Sequence, residues 1–449
     1  MIFVSCNKSV KNTATYFGGK IINPKNNHVV LFSMDKVIDT FFINSENKFI
    51  GKIDSIKEGL FYFVHGNENQ FLYLEPKDSL MLSLNTWDFD ESIVFSGVGA
   101  ERNNILIDCF LQFEKDERLF YNYNSLKAIP FKKKVDSIIT LKMNTYEEYA
   151  SNHPKETDRF KEVLKIALTY PVYARIEKYP NSHAKRMKLK EFPKTPSSFY
   201  DYRKEIDINQ DALMYYNPYS KYVTSYLYNS TYAKGFKPMQ NNFSSNFTVD
   251  LLKTINTEIS SETFKNAFLK QTLISHFYKK STCDINTQEF DIFLALSTNQ
   301  DDKDLVKRLL NDNQLVHVNH KMANFELRDY TKVKRGIKDV LKEKNTLLFF
   351  WSPVYVSKAY VRSRINFLSN RYPTIQFLTI KIDGNKKDQI ENLDIKKQFF
   401  INIDSDANSF LTSKMTRSIL INKKGIVTNG FASISSRNIY AQLDILNNN

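Results

Sequence analysis

Cysteine is scarce: three residues in 449, at positions 6, 109 and 283. That excludes a disulfide-stapled scaffold and a four-thiolate zinc site. Glycine and proline, twelve each, are too few for a collagen-like or Pro/Gly-rich low-complexity chain. No apolar run reaches the ~18 residues of a membrane-spanning helix. The chain holds no Gly-rich loop ending in Lys-Ser/Thr, no His-Glu-x-x-His and no Gly-x-Ser-x-Gly. The common signatures of nucleotide hydrolysis, zinc proteolysis and serine hydrolysis are therefore missing.

What is present suffices for ordinary cores: 42% of residues are apolar and 25% charged. At ~100–200 residues per domain, two to four domains are expected. The net charge of +14 is uneven. Residues 1–100 carry 9 basic and 11 acidic groups, residues 101–320 carry 32 and 27, and residues 321–449 carry 22 and 11. A basic last third can favour an acidic protein, anionic lipid or nucleic acid. With no nucleic-acid motif beside it, it reads as a solvated surface, and no nucleic-acid partner is expected.

Residues 16–97 alternate short apolar and aromatic runs with turn residues. Phe61/Phe63, Phe71/Tyr73 and Leu80/Leu82/Leu84 recur with period two, as half-buried strands do. Eight such runs predict a small antiparallel β-sandwich. After Gly99 the period changes. Leu106, Cys109, Phe110 and Phe113 fall at helical spacing, as do Phe160, Val163, Leu164, Ala167 and Leu168, with Pro171 expected to end that helix. Tyr219, Tyr222 and Tyr226 follow the helix-start pair Asn217-Pro218, and another helix is expected over about 263–278. Residues 179–200, with Lys185, Arg186, Lys188, Lys190 and Lys194, read as an exposed basic loop. Residues 321–446 return to alternating strand and helix. TLLFFW (346–351) reads as a strand buried on both faces. Helix 358–372, strand 376–383, a short helical stretch near 407–414, a hairpin over 417–431 turning at Lys424-Gly425, and a final helix capped by Ser435 or Ser436 follow.

That order, with LLFFWSPVYVSKAY (347–360) as first core strand and active-site turn and RSILINKKGIVTNGF (417–431) as closing hairpin, resembles the thioredoxin fold. ANFELRDYTKVKRGIKDVLKEKN (323–345) resembles the lead-in hairpin and helix of the TlpA-like subfamily. The whole arrangement resembles envelope lipoproteins of Bacteroidetes. The expected fold class is α+β multidomain: residues 1–15 a tether, 16–98 an N-terminal antiparallel β-sandwich, 99–320 a mainly helical middle region, and 321–449 a C-terminal thioredoxin-like α/β domain. Family enzymes carry Cys-x-x-Cys after the tryptophan strand, because exchange needs a thiolate at a helix start and a second thiol to resolve the mixed disulfide. Aligning Trp351 with the family tryptophan puts Tyr355 and Lys358 in the cysteine slots, and residues 321–449 contain no cysteine at all. The family's cis-proline falls at Thr416, where a cis bond would cost ~3–4 kcal/mol, so a trans peptide is expected. No catalytic residue is assigned. Trp351, Ser352, Pro353, Tyr355, Lys358 and Arg417 become a candidate binding turn, with Arg362 and Arg364 adding positive charge for an acidic partner.

Phe3-Val4-Ser5-Cys6 resembles the end of a bacterial lipobox, in which a small residue precedes a lipid-modified cysteine. Only five residues precede Cys6 and none is basic, short of a full signal. The expectation is lipidation at Cys6, with the protein at the outer membrane facing periplasm or cell surface; the other reading is a free thiol in a frayed end. Cys109, on an apolar stripe, reads as a buried structural thiol. Cys283 follows Lys279 and Lys280 and would be the reactive thiol of an alternative, oxidoreductase reading. A third reading has the sandwich bind glycan or peptide through Tyr62, Tyr73 or Trp87.

No cofactor and no metal are expected. His317 and His320 lack further ligands at a regular spacing. Asp404, Asp406 and Asn408 match a calcium loop at three positions, but Ser409 and Met415 occupy its glycine and twelfth-position glutamate places. Gly97 and Gly99 lack the third glycine of a dinucleotide loop, and His276 reads as a hydrogen-bonded core histidine. Residues 87–91 read as a solvated turn. The seven tyrosines between Tyr215 and Tyr232 suit an interface or a packing surface equally well.

Overall fold

The computed structural model describes residues 14–238, 244–282, 286–331, 333–382 and 389–448. Cys6 and Cys283 lie outside the described residues. The chain forms two compact units, 1–240 and 241–449.

All eight strands read from the N-terminal pattern form: Thr15–Ile22 (β1), His28–Ser33 (β2), Lys36–Phe42 (β3), Lys48–Ile53 (β4), Gly59–His65 (β5), Glu68–Leu74 (β6), Ser79–Asn85 (β7) and Val94–Val98 (β8). They make two sheets, ordered β4-β1-β7-β8 and β3-β2-β5-β6. Pairing is antiparallel except for β1 with β7. The two sheets share one core, with Phe17, Phe49, Leu80 and Leu82 from one meeting Leu31, Phe61, Phe63 and Leu72 from the other. Gly99, at φ 91°, turns the chain from β8 into helix Ala100–Tyr123 (α1), a conformation open to glycine. In α1, Ile107 enters the sandwich core. Asn103 closes the ladder by accepting from the Tyr73 N–H (2.7 Å) and donating to its carbonyl (2.9 Å).

Three more helices complete the first unit: Ala128–Asn152 (α2), Asp158–Met187 (α3) and Asn217–Tyr232 (α4). Two expectations are corrected here. The helix over 160–168 does not stop at Pro171 but runs through it and through Pro180. An interior proline costs ~3 kcal/mol, which burial of Tyr170, Val172, Ile176 and Tyr179 offsets. Residues 179–187 are therefore helix rather than loop. Lys185 and Arg186 sit in its last turn, where cations suit the negative helix end, and Lys188 ends it at φ 54°. The tyrosines are packing: Tyr216, Tyr219, Tyr222 and Tyr232 are buried, and Tyr222 meets Tyr170 edge-on at 5.2 Å.

The second unit begins with helices Ser245–Glu258 (α5), Glu262–Lys280 (α6), Gln288–Leu296 (α7) and Gln300–Gln314 (α8). Strands Glu326–Asp329 (β9) and Lys334–Gly336 (β10) and the short helix Ile337–Leu341 (α9) lead into Thr346–Trp351 (β11). Then come Lys358–Arg371 (α10), Gln376–Lys381 (β12), Gln398–Phe400 (β13), Arg417–Ile421 (β14), Val427–Ala432 (β15) and Asn438–Asn448 (α11). The sheet order is β10-β9-β13-β12-β11-β14-β15. Within it β11 is parallel to β12 and antiparallel to β14, and β14 is antiparallel to β15. Together with α10 and α11 this is the four-stranded core of a thioredoxin-like fold. Every residue of β11 is buried, as the unbroken apolar run requires. Leu347, Phe349 and Trp351 face Val361, Ile365 and Leu368 of α10 and Leu443 of α11. Leu348 and Phe350 face Ile337, Val340 and Phe410. The helical stretch expected near 407–414 is a single 3-10 turn, Asp406–Phe410.

The boundary expected at residue 320 runs through this second unit. Helices α5 to α8 fall in one unit with the last sheet, and α6 and α8 bond its loops directly through Tyr278 and Asp312. Residues 99–320 are thus divided between the two units.

Candidate functional site

The turn after β11 is built on Ser352. Its carbonyl accepts from the Tyr355 and Val356 N–H groups (3.1 Å each), and its Oγ from Val354 N–H (3.3 Å). Ser357 caps α10 by accepting from the Tyr360 N–H at 3.2 Å, so Lys358 opens the helix. This is the turn onto which the alignment on Trp351 puts the two expected thiol positions, 355 and 358. The side chains here are a phenol at 355 and an ammonium at 358, and neither can become a thiolate or close a disulfide. Trp351 is buried (1% exposed) and is core rather than contact surface. Ser352 is buried as well, while Val354 is 80% and Tyr355 46% exposed, with Pro353 exposed beside them. The presented part of the candidate turn is Pro353-Val354-Tyr355.

Thr416 precedes β14 on the neighbouring loop. Every peptide bond among the described residues is trans, Met415–Thr416 included. The Thr416 carbonyl is already engaged: the Tyr278 hydroxyl of α6 donates to it at 2.6 Å. Burial pushes the Tyr278 phenol well above its ordinary range, so it keeps its proton and remains a donor.

Arg417 does not lie on the surface as expected. It is 2% exposed, with its guanidinium between the rings of Phe410 (5.7 Å) and Phe431 (5.6 Å), and Nη1 donates to the Asp312 carbonyl. It holds α8 to the sheet and is removed from the candidate contact set. The Asp312 carboxylate accepts from Thr412 N–H (2.7 Å), Thr412 Oγ1–H (2.6 Å) and Ser413 N–H (2.8 Å). Phe277 packs edge-on to Phe431 at 4.1 Å, and Ser281 accepts from Asn429 Nδ2 (2.9 Å) and Ser433 N–H (2.8 Å). Sequence reasoning missed Tyr278, Ser281 and Asp312. Their partners lie 100 or more residues away, and only the apolar series Phe264, Leu269, Leu273 and Phe277 on α6 announces a buried face there. Of the other basic residues, Arg364 donates to the Ile434 carbonyl (2.7 Å) and Tyr440 hydroxyl (3.0 Å), and Arg362 is half-exposed.

The remaining candidates fall elsewhere. Cys109 is buried, and that burial pushes its thiol up to about 12. Tyr73 is fully buried and donates to Glu58 at 2.6 Å, so it cannot line a glycan surface. Tyr62 stacks on Phe32 at 4.9 Å, while Trp87 is 74% exposed on a turn. His276 is a core histidine, bonded to Thr248 Oγ1 (2.7 Å) and facing buried Glu289 (3.2 Å). His317 and His320 sit exposed in a turn, not on a helix, with ring centroids 5.5 Å apart. Among the described residues no cluster of three or more metal-ligating side chains is present, and no helix is long and apolar enough to cross a membrane.

No protein-family model and no curated protein matches the chain. Solved structures overlap with part of it. They include several thiol-disulfide oxidoreductases. The thioredoxin domain of a thiol-disulfide oxidoreductase from Bacteroides vulgatus is 15% identical over 29% of this chain and 96% of its own, with a TM-score of 0.23. The exposed lipoprotein thioredoxin of Streptococcus pneumoniae is 20% identical over 28% of this chain and 100% of its own (TM-score 0.21). A secreted disulfide oxidoreductase of Mycobacterium tuberculosis is 13% identical over 27% and 95% (TM-score 0.21). The strand order of the second unit defines its fold independently of these overlaps.

Proposed function

We propose that the protein is a redox-inactive thioredoxin-like protein of the bacterial cell envelope, lipid-anchored through Cys6, whose second unit serves as a binding or structural module. One observation carries this reading: Tyr355, Lys358 and Thr416 stand where exchange chemistry needs two thiols and a cis-proline, and the Thr416 carbonyl is held by Tyr278. An extended peptide laid along that loop would have to displace the phenol. A partner protein instead meets the projecting Pro353-Val354-Tyr355 turn, with Lys358 and Arg362 nearby favouring an acidic surface.

Reduction of insulin by dithiothreitol in the presence of the purified protein tests the first half. The expected rate is the uncatalysed one. Turnover that disappears in a Cys283→Ser variant would overturn redox inactivity. A photoreactive amino acid placed at Tyr355 in envelope preparations tests the second half. A discrete adduct is expected there, and equal labelling from a probe at the 97% exposed Ile403 would count against a specific contact. Mass spectrometry of the N-terminal peptide reports acylation of Cys6 in the same sample.

A further inference from the structure

The first unit contains a pocket that the proposed function does not use. It opens between β6, α1, α3 and the start of α4. Its enclosed part is about 60 Å³, room for a short apolar segment with the rest of a ligand lying in the open cleft. Its wall is mostly carbon, from Phe71, Leu106, Phe113, Pro171 and Ala174, with the thiol of Cys109 and the phenol of Tyr216 among them. Three cations gather at its mouth: Arg175, Lys178 and Lys221.

Their charge is not balanced locally. Arg175 pairs with Glu117 at 2.5 Å and lies 5.1 Å above the Phe113 ring. The Lys221 ammonium sits 5.2 Å above the same ring. Neither Lys178 nor Lys221 forms an ion pair among the described residues. Burial first, and then repulsion from Arg175 and Lys221, pulls the Lys178 ammonium below its ordinary range. The sixteen-residue α4 begins at the same mouth with Asn217-Pro218, and no side chain caps it. Its positive end adds to the field of the lysines. An anion at the mouth would relieve the lysine repulsion, and a mainly apolar body suits the mostly carbon-lined interior, where a strongly polar one would leave its groups unpaired.

We propose that this pocket binds an amphipathic carboxylate, its hydrocarbon tail against Phe113 and Pro171 and its carboxylate at Lys178 and Lys221. The interior excludes a strongly polar anion such as a nucleotide, and the mouth disfavours a cation.

Isothermal titration of the full-length chain with decanoate, decanol and decyltrimethylammonium tests this. Decanoate is expected to bind saturably at one per chain. Decanol should bind at least about tenfold more weakly, the worth of one charge-assisted hydrogen bond, and the cation should not bind. The double variant Lys178→Gln/Lys221→Gln should weaken decanoate about tenfold and leave decanol unchanged. Ala174→Phe, which fills the pocket, should abolish decanoate binding in protein whose thermal midpoint shows it folded. Equal affinity for decanoate and decanol, an unaffected lysine variant, or uptake of several decanoates per chain would overturn the proposal.

Discussion

Cys109 shows how one side chain's surroundings fix its chemistry. It lies on the inner face of α1 beside Leu106, and burial raises its thiol from 9.0 to about 12. The raised value means that the native state holds the thiol proton more tightly than the unfolded chain does. The corresponding stability is whole below pH 9, the unfolded value, and falls as pH rises toward 12. Iodoacetamide at pH 8.5 should therefore leave Cys109 unmodified in the folded protein and label it in urea, as read by mass spectrometry of its tryptic peptide. Labelling at equal rates in both states would contradict the packing of α1. The apolar spacing around Cys109 already announces this environment in the sequence, because a single helix face determines it.

Among the elements, α3 departs furthest from what its sequence suggests. Glu177, fully buried in its middle, accepts from Tyr202 Oη (2.7 Å), Arg203 Nε (2.8 Å) and Asn229 Nδ2 (2.7 Å). It joins α3 to the 3-10 turn Ser197–Glu205 and to α4. Hydrogen bonding to the Glu177 carboxylate, working against burial, holds the Arg203 guanidinium above its ordinary range and keeps it charged. Glu177→Ala would leave the half-buried Arg203 without its carboxylate and Tyr202 and Asn229 without their acceptor, and should cost about 1.5–3 kcal/mol, measured by urea denaturation. A loss below about 1 kcal/mol would place Glu177 outside the core network. The strands β1 to β8 were readable because a period of two needs only local sequence. Continuation of α3 past Pro171 was not, since the local penalty is outweighed by tertiary burial of Tyr179, which stacks on Phe131 at 4.0 Å. The single apolar face of α10, with Val361, Ile365 and Leu368, was readable for the same reason as the strands. The Tyr278–Thr416 bond spans 138 residues and leaves no local trace.

At the scale of the molecule, the second unit is a thioredoxin-like sheet that includes four preceding helices. Without α6 and α8, Phe431 would lose Phe277, and the Thr412 and Ser413 N–H groups would lose the Asp312 carboxylate. A fragment comprising 241–449 should unfold cooperatively, whereas one comprising 321–449 should be several kcal/mol less stable or aggregate, because it strands buried polar groups and exposes aromatic surface. Equal stability of the two fragments, by circular dichroism in urea, would return the boundary to residue 320.

The phenol lodged on the loop before β14 also bears on engineering. Grafting sulfur onto positions 355 and 358 would supply an electron carrier with no berth for its cargo. A dithiol engineered there would also need Tyr278 moved off the Thr416 carbonyl.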